Sequence, residues 1–199
     1  MLATDIQLGA LKCPTNYRLS CILDTVLLFR MGSSIIINKQ VNLFSMNTPP
    51  ALAHQSIHGL KQAFRSARPI AADQLSGQYQ GFPAGPWWFR LGSGPTLGMS
   101  GFGGWLGKQF LGNGNATNLF VAGAETVKRF PMTITVRPSQ VDGKDTFVLL
   151  YPKDARAPWC WVTDELRMTE DGTILGLTFV DAPVLRYMVF PFVLRSKQQ

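Results

Sequence analysis

Asp164-Glu165-Leu166-Arg167 sets two carboxylates and a guanidinium in one short run, directly behind the aromatic stretch Trp159-Cys160-Trp161. Along an extended strand from Trp159 to Met168, the side-chain period of two puts Trp159, Trp161, Thr163, Glu165 and Arg167 on one face. Cys160, Val162, Asp164, Leu166 and Met168 fall on the other. Asp164 thus keeps apolar company. A carboxylate in such company needs a partner, and Arg90, Lys108 and Tyr151 are the candidates. With such a partner, Asp164 or Tyr151 is a candidate for proton transfer. The other possibility is that Asp164 stands near a strand end open to water. Glu165 and Arg167, two apart on the opposite face, read more simply as an exposed ion pair.

The aromatic residues Tyr79, Trp87, Trp88, Phe89, Trp105, Trp159 and Trp161 are the second group with chemical potential. They can line an apolar pocket for a small molecule, with Arg90 and Lys108 fixing its orientation, or they can fill a core. Several other patterns fail on spacing. Gly107-Lys108 ends like a phosphate-binding loop, but the earlier glycine position is Phe102 and the hydroxyl position is Gln109. His54 and His58 stand four apart with no glutamate between them, and two ligands make no metal site. No cofactor or metal is implied.

Composition narrows the partners. The formal charge is +7, but the cations are scattered rather than gathered in a run, which argues against a nucleic-acid arm. The longest apolar stretches, Cys21 to Phe29 and Tyr187 to Leu194, are too short to span a bilayer, so stable membrane insertion is not expected. Cys13, Cys21 and Cys160 have neither the number nor the spacing of a disulfide framework and read as reduced thiols, with a cytoplasmic location. Organelle targeting by residues 1–45 stays open.

These groups must be positioned by a scaffold whose elements are partly legible. Residues 1–45 lack linked capping and turn patterns and read as a weakly ordered extension, with Met46 as a possible alternative start. The folded domain is expected over 46–199. A helix capped by Thr48 is predicted, with Ile57, Leu60 and Phe64 forming its apolar stripe and an end before Pro69. Between Gly77 and Gly114 stand twelve glycines, which suit tight bends and close backbone approach in curved sheets. Alternation predicts a hairpin of Met132–Val136 with Phe147–Tyr151 around the turn Val141-Asp142-Gly143-Lys144. A second pairs Trp159–Met168 with Ile174–Val180, and Val189–Leu194 closes the chain. Tyr79–Phe82, Trp87–Leu91, Trp105–Phe110 and Leu119–Ala122 are weaker strands. The expected fold is mainly β: an antiparallel up-and-down, lipocalin-like barrel with an N-terminal helix over one mouth or flank.

Gly77-Gln78-Tyr79-Gln80-Gly81 resembles the opening of the bacterial domain family named for a Gly-x-Trp-x-Gly signature, with Tyr79 in the tryptophan position. Gly104-Trp105-Leu106-Gly107-Lys108-Gln109-Phe110 resembles the Gly-Trp-x-Gly-Lys-x-Phe segment that follows there. The C-terminal part, including Asp164-Glu165-Leu166-Arg167 and Pro191-Phe192-Val193-Leu194, is similar to the uncharacterised domain usually paired with that signature. The resemblance implies a small lipocalin-like barrel and carries no catalytic residues with it. The expected function is binding of a hydrophobic or amphipathic small molecule inside the barrel. The other candidates are a cofactor-independent isomerase or cyclase of a nonpolar metabolite using Asp164 or Tyr151, and a packed barrel whose Trp-rich loops bind a partner protein.

Overall fold

The computed structural model of the chain describes residues 52, 55–71, 74–88 and 102–197. The expectations for residues 1–45, Met46, Thr48, His54, Phe89 and Arg90 lie outside them. Eight antiparallel strands follow one another in chain order: β1 Ser76–Pro83, β2 Trp105–Leu111, β3 Asn115–Ala122, β4 Glu125–Pro138, β5 Asp145–Leu150, β6 Val162–Met168, β7 Ile174–Val180 and β8 Val189–Ser196. Each pairs with the next, and β1 pairs with β8, so the sheet closes into a barrel without edges. The up-and-down barrel is therefore as expected. Connections β1–β2, β3–β4, β5–β6 and β7–β8 lie at one end, and the remaining turns lie at the other.

Helix α1, Ile57–Ser66, starts at the first residue of the expected stripe. Gln55 and Ser56 are non-helical, and Ser56 caps α1: its Oγ accepts from the Gly59 N–H at 3.0 Å. Leu60 and Phe64 face inward one turn apart and pack on Leu175, Leu177 and Val193. These three sit on the outer face of β7 and β8, so α1 covers a flank. Strand β7 is accordingly apolar on both faces, with Ile174 facing the barrel interior and Leu175 facing the helix.

Two expected strands differ at their first residues. Trp159–Trp161 forms a single 3-10 turn and β6 starts only at Val162, while Trp87 and Trp88 are helical. In the Trp159 turn the Trp161 N–H donates to the Pro158 carbonyl at 3.0 Å, a local bond that competes with ladder pairing.

Glycines set how closely β1 and β2 approach. A Cβ on Gly81 would lie 2.4 Å from the Trp105 ring, and one on Gly107 would lie 2.0 Å from the Tyr79 carbonyl oxygen, with φ at +143° besides. The ladder slips between Trp105 and Gly107, a bulge that sends Trp105, Lys108 and Phe110 all inward although 105 and 108 are three apart.

Candidate functional site

That bulge places an ammonium in the centre of the barrel. Lys108 is only 2% exposed. Its Nζ lies 2.9 Å from Asp164 Oδ2 and donates to Asn118 Oδ1 at 2.9 Å, with Met132 Sδ at 3.6 Å. It also stands 5.9, 5.8 and 5.4 Å from the ring centroids of Trp105, Tyr151 and Phe192, within range of cation–π attraction. The second carboxylate oxygen of Asp164 accepts from Thr178 Oγ1 at 2.6 Å, across the β6–β7 pair.

Asn118 ties the cluster together. Its Oδ1 accepts from both Lys108 and Trp105 Nε1, the latter at 3.1 Å, and its amide donates to the Tyr151 hydroxyl at 3.1 Å. The same amide reaches the Phe130 carbonyl at 3.4 Å. Phe130 occupies φ +55° at the bulge where β3 and β4 slip between Thr117 and Asn118, a conformation uncommon for a non-glycine residue. Burial raises the Tyr151 pKa well above that of an ordinary phenol, and the Asp164 charge pushes it the same way. Tyr151 therefore keeps its proton.

Sequence reasoning identified four members of this cluster, Trp105, Lys108, Tyr151 and Asp164. It missed Asn118 and Thr178. The weak strand expected over Leu119–Ala122 leaves Asn118 in a loop, although Ala116, Asn118 and Phe120 alternate as inward residues do. Asp164 is 2% exposed and does not open to water at a strand end.

Rings close the end of the barrel above the cluster. Phe102 stacks on Trp159 at 4.2 Å and on Phe130 at 5.4 Å, and meets Phe120 edge-on at 4.8 Å. Tyr151 lies 5.4 Å from Trp159. Tyr79 is inside too, but toward the opposite end, edge-on to Phe110 at 5.2 Å, with its hydroxyl donating to the Gln74 carbonyl at 3.2 Å. Burial raises its pKa. Trp87 and Trp88 stand outside the interior, 67% and 54% exposed, because they follow the end of β1 rather than lying in a strand. Trp161 is half-buried on the outside, where it helps line a surface cavity of about 260 Å³ with Thr163, Phe179 and Arg186.

The outer face of β6 departs from expectation more sharply. Glu165 and Arg167 are each 1% exposed and do not pair with one another, because α1 and the β4–β5 turn cover them. Arg167 grips Asp142 with two bonds of 2.7 and 2.8 Å, donates to the Phe64 carbonyl at 3.1 Å, and lies 4.6 Å over the Phe64 ring. That grip holds the Asp142 pKa down at about 2. Glu165 accepts from Ser139 Oγ and, at 2.8 Å, from the Gln140 N–H. Cys13 and Cys21 lie outside the described residues, and the expectation of reduced thiols with them.

His58 lies on the exposed side of α1 beside Gln62, and among the described residues no three metal-ligating side chains come together. Among the same residues no helix is long and apolar enough to cross a membrane. No family model matches the chain, and no curated protein matches it. A crystal structure of a protein from Thermomonospora curvata is similar, with 16% identity and a TM-score of 0.53, covering 73% of this chain and 90% of that one. At that identity the likeness is one of fold, and it agrees with the barrel.

Proposed function

We propose that the barrel binds a hydrophobic or amphipathic small molecule, its apolar body against the aromatic rings and its polar end on Lys108, Asp164, Asn118 and Tyr151. One observation carries the reading: a complete ion pair sits at the centre of an apolar interior, its cation facing three rings. Desolvation offsets most of what such a pair gains, and an apolar pair of similar volume would hold a barrel as well. A charge retained there is better suited to orienting a bound molecule than to stabilising the fold. The Phe102–Trp159 stack closes this end of the barrel, so a molecule entering there must part the two rings.

Membership of the Gly-x-Trp-x-Gly family is part of the same proposal. Residues 77–81 and 104–110, which carry the resemblance, are adjacent in space as β1 and β2, and Lys108 comes from the second of them. A further reading, a cofactor-independent isomerase or cyclase, draws support from Tyr151. Its buried hydroxyl accepts from Asn118 and stays protonated, which leaves its O–H as a hydrogen-bond donor to a bound molecule.

Native mass spectrometry of the purified full-length chain tests the binding reading. A co-purifying lipid-like mass is expected. A bare chain that also leaves anilinonaphthalene sulfonate fluorescence unchanged overturns it. For the enzymatic reading, Asp164→Asn is expected to abolish turnover of a nonpolar substrate in protein that circular dichroism shows to be folded, and undiminished turnover removes Asp164 from the mechanism.

A further inference from the structure

The exposed apolar residues are not spread evenly. Among the described residues, eight large hydrophobic side chains are exposed, and six of them, Trp87, Trp88, Val121, Val184, Tyr187 and Met188, lie at the end of the barrel where β1–β2, β3–β4 and β7–β8 connect. The β1–β8 pairing reaches Pro83 opposite Phe192, and Ala84 N–H donates to the Pro191 carbonyl at 3.0 Å, so the segment with Trp87 and Trp88 leaves β1 at the same end of the paired strands where the segment with Tyr187 and Met188 enters β8. It is also the end plugged by Phe102 and Trp159.

Val184 adds an independent observation. It holds φ at +69°, a conformation costly for a β-branched side chain, and its side chain is 72% exposed. The strained residue thus leaves its two methyl groups outside the core. Exposed cations share this end: Lys128 and Arg129 near the start of β4, Lys153 and Arg156 between β5 and β6, and Arg186 between β7 and β8. Among the described residues, Glu125, Asp154 and Asp181 are the exposed anions there, and Asp181 is already 3.5 Å from Arg186. Positive charge therefore exceeds negative around an aromatic rim.

We propose that this rim docks on an anionic bilayer surface, with its aromatic residues at headgroup depth and the cations on acidic lipid, so that the plugged mouth faces the membrane. Tryptophan and tyrosine suit that depth because their rings are apolar at one end and polar at the other. Basic residues near the surface add attraction that salt screens. The inference rests on the binding reading above and names the source of its ligand: an amphipathic molecule drawn from the lipid phase.

Co-sedimentation of the full-length chain with vesicles of mixed phosphatidylglycerol and phosphatidylcholine, against vesicles of phosphatidylcholine alone, tests it. Expected are preferential binding to the anionic vesicles, a fall with added salt, and a fall of about tenfold in the Trp87→Ala, Trp88→Ala, Tyr187→Ala triple variant. Val184→Asp tolerates the left-handed backbone better than valine does and is expected to fold normally while binding vesicles less. Absence of anionic-vesicle binding, or undiminished binding by both variants, overturns the proposal. So does a wild-type dimer in sedimentation velocity that the triple variant abolishes, since a second copy would then be the occupant. Anilinonaphthalene sulfonate uptake in solution separates the two readings: uptake without vesicle binding sinks the docking alone, and vesicle binding without uptake sinks the carrier alone.

Discussion

Lys108 and Arg167 are both cations with almost no exposed surface, yet different neighbours hold them. Arg167 meets one carboxylate and two backbone carbonyls in a geometry its planar fork matches. Lys108 has one carboxylate, one amide oxygen and three ring faces, so much of its stabilisation depends on the Asp164 carboxylate beside it. Removing one partner of a buried pair leaves the other charge uncompensated, which costs about 3–5 kcal/mol. Lys108→Met is therefore expected to lower unfolding stability by about that amount in urea titration, and Lys108→Met with Asp164→Asn to recover part of it. Equal loss in the single and double variants would show that Asp164 is not what Lys108 compensates. The strand period alone could place Asp164 among apolar residues, since alternation is a property of one strand. It could not place Arg167, because nothing in β6 says that a helix and a turn from elsewhere will cover its outer face.

The same contrast holds for elements. The hairpins were legible because turn residues such as Asp142-Gly143 and Asp171-Gly172 separate alternating runs, and each strand pairs with its neighbour in sequence. The start of α1 was not, because no residue pattern ahead of Ile57 marks Ser56 as the cap, which shows only in the bond from the Gly59 N–H to its Oγ. What joins α1 to the sheet is partly electrostatic: Arg167 bridges the Phe64 carbonyl near the helix end and Asp142 in the β4–β5 turn. The folded Asp142 pKa of about 2 lies below the value of about 3.9 expected in the unfolded chain. A depressed carboxylate contributes stability that is full above the unfolded value and is lost as pH falls through the folded one. The clamp should therefore weaken between about pH 4 and pH 2. Urea midpoints measured across that window should fall in the wild type, while Asp142→Asn should be less stable at neutral pH and show a shallower acid slope. A slope unchanged by Asp142→Asn would assign the acid sensitivity to other carboxylates.

For the whole molecule, closure of the barrel separates two apolar regions that never meet: an interior filled largely by aromatic side chains, and an outer layer under α1. The interior was visible in the sequence as an excess of aromatic residues, but whether they line or fill it was not, since that depends on how rings from β2, β3, β4 and the connections meet in space. They meet at Phe102, which stacks on Trp159 and Phe130 and lies outside every strand. Its removal should therefore leave the sheet ladder intact while opening the end above Lys108. Phe102→Ala is expected to lose about 3–5 kcal/mol of stability from the ring's burial. If parting of that stack limits access to the interior, the same variant should take up anilinonaphthalene sulfonate about tenfold faster in stopped-flow fluorescence. An unchanged uptake rate in a variant that still unfolds cooperatively would mean that the rings are core and not a gate, and that any bound molecule reaches Lys108 by another route or not at all.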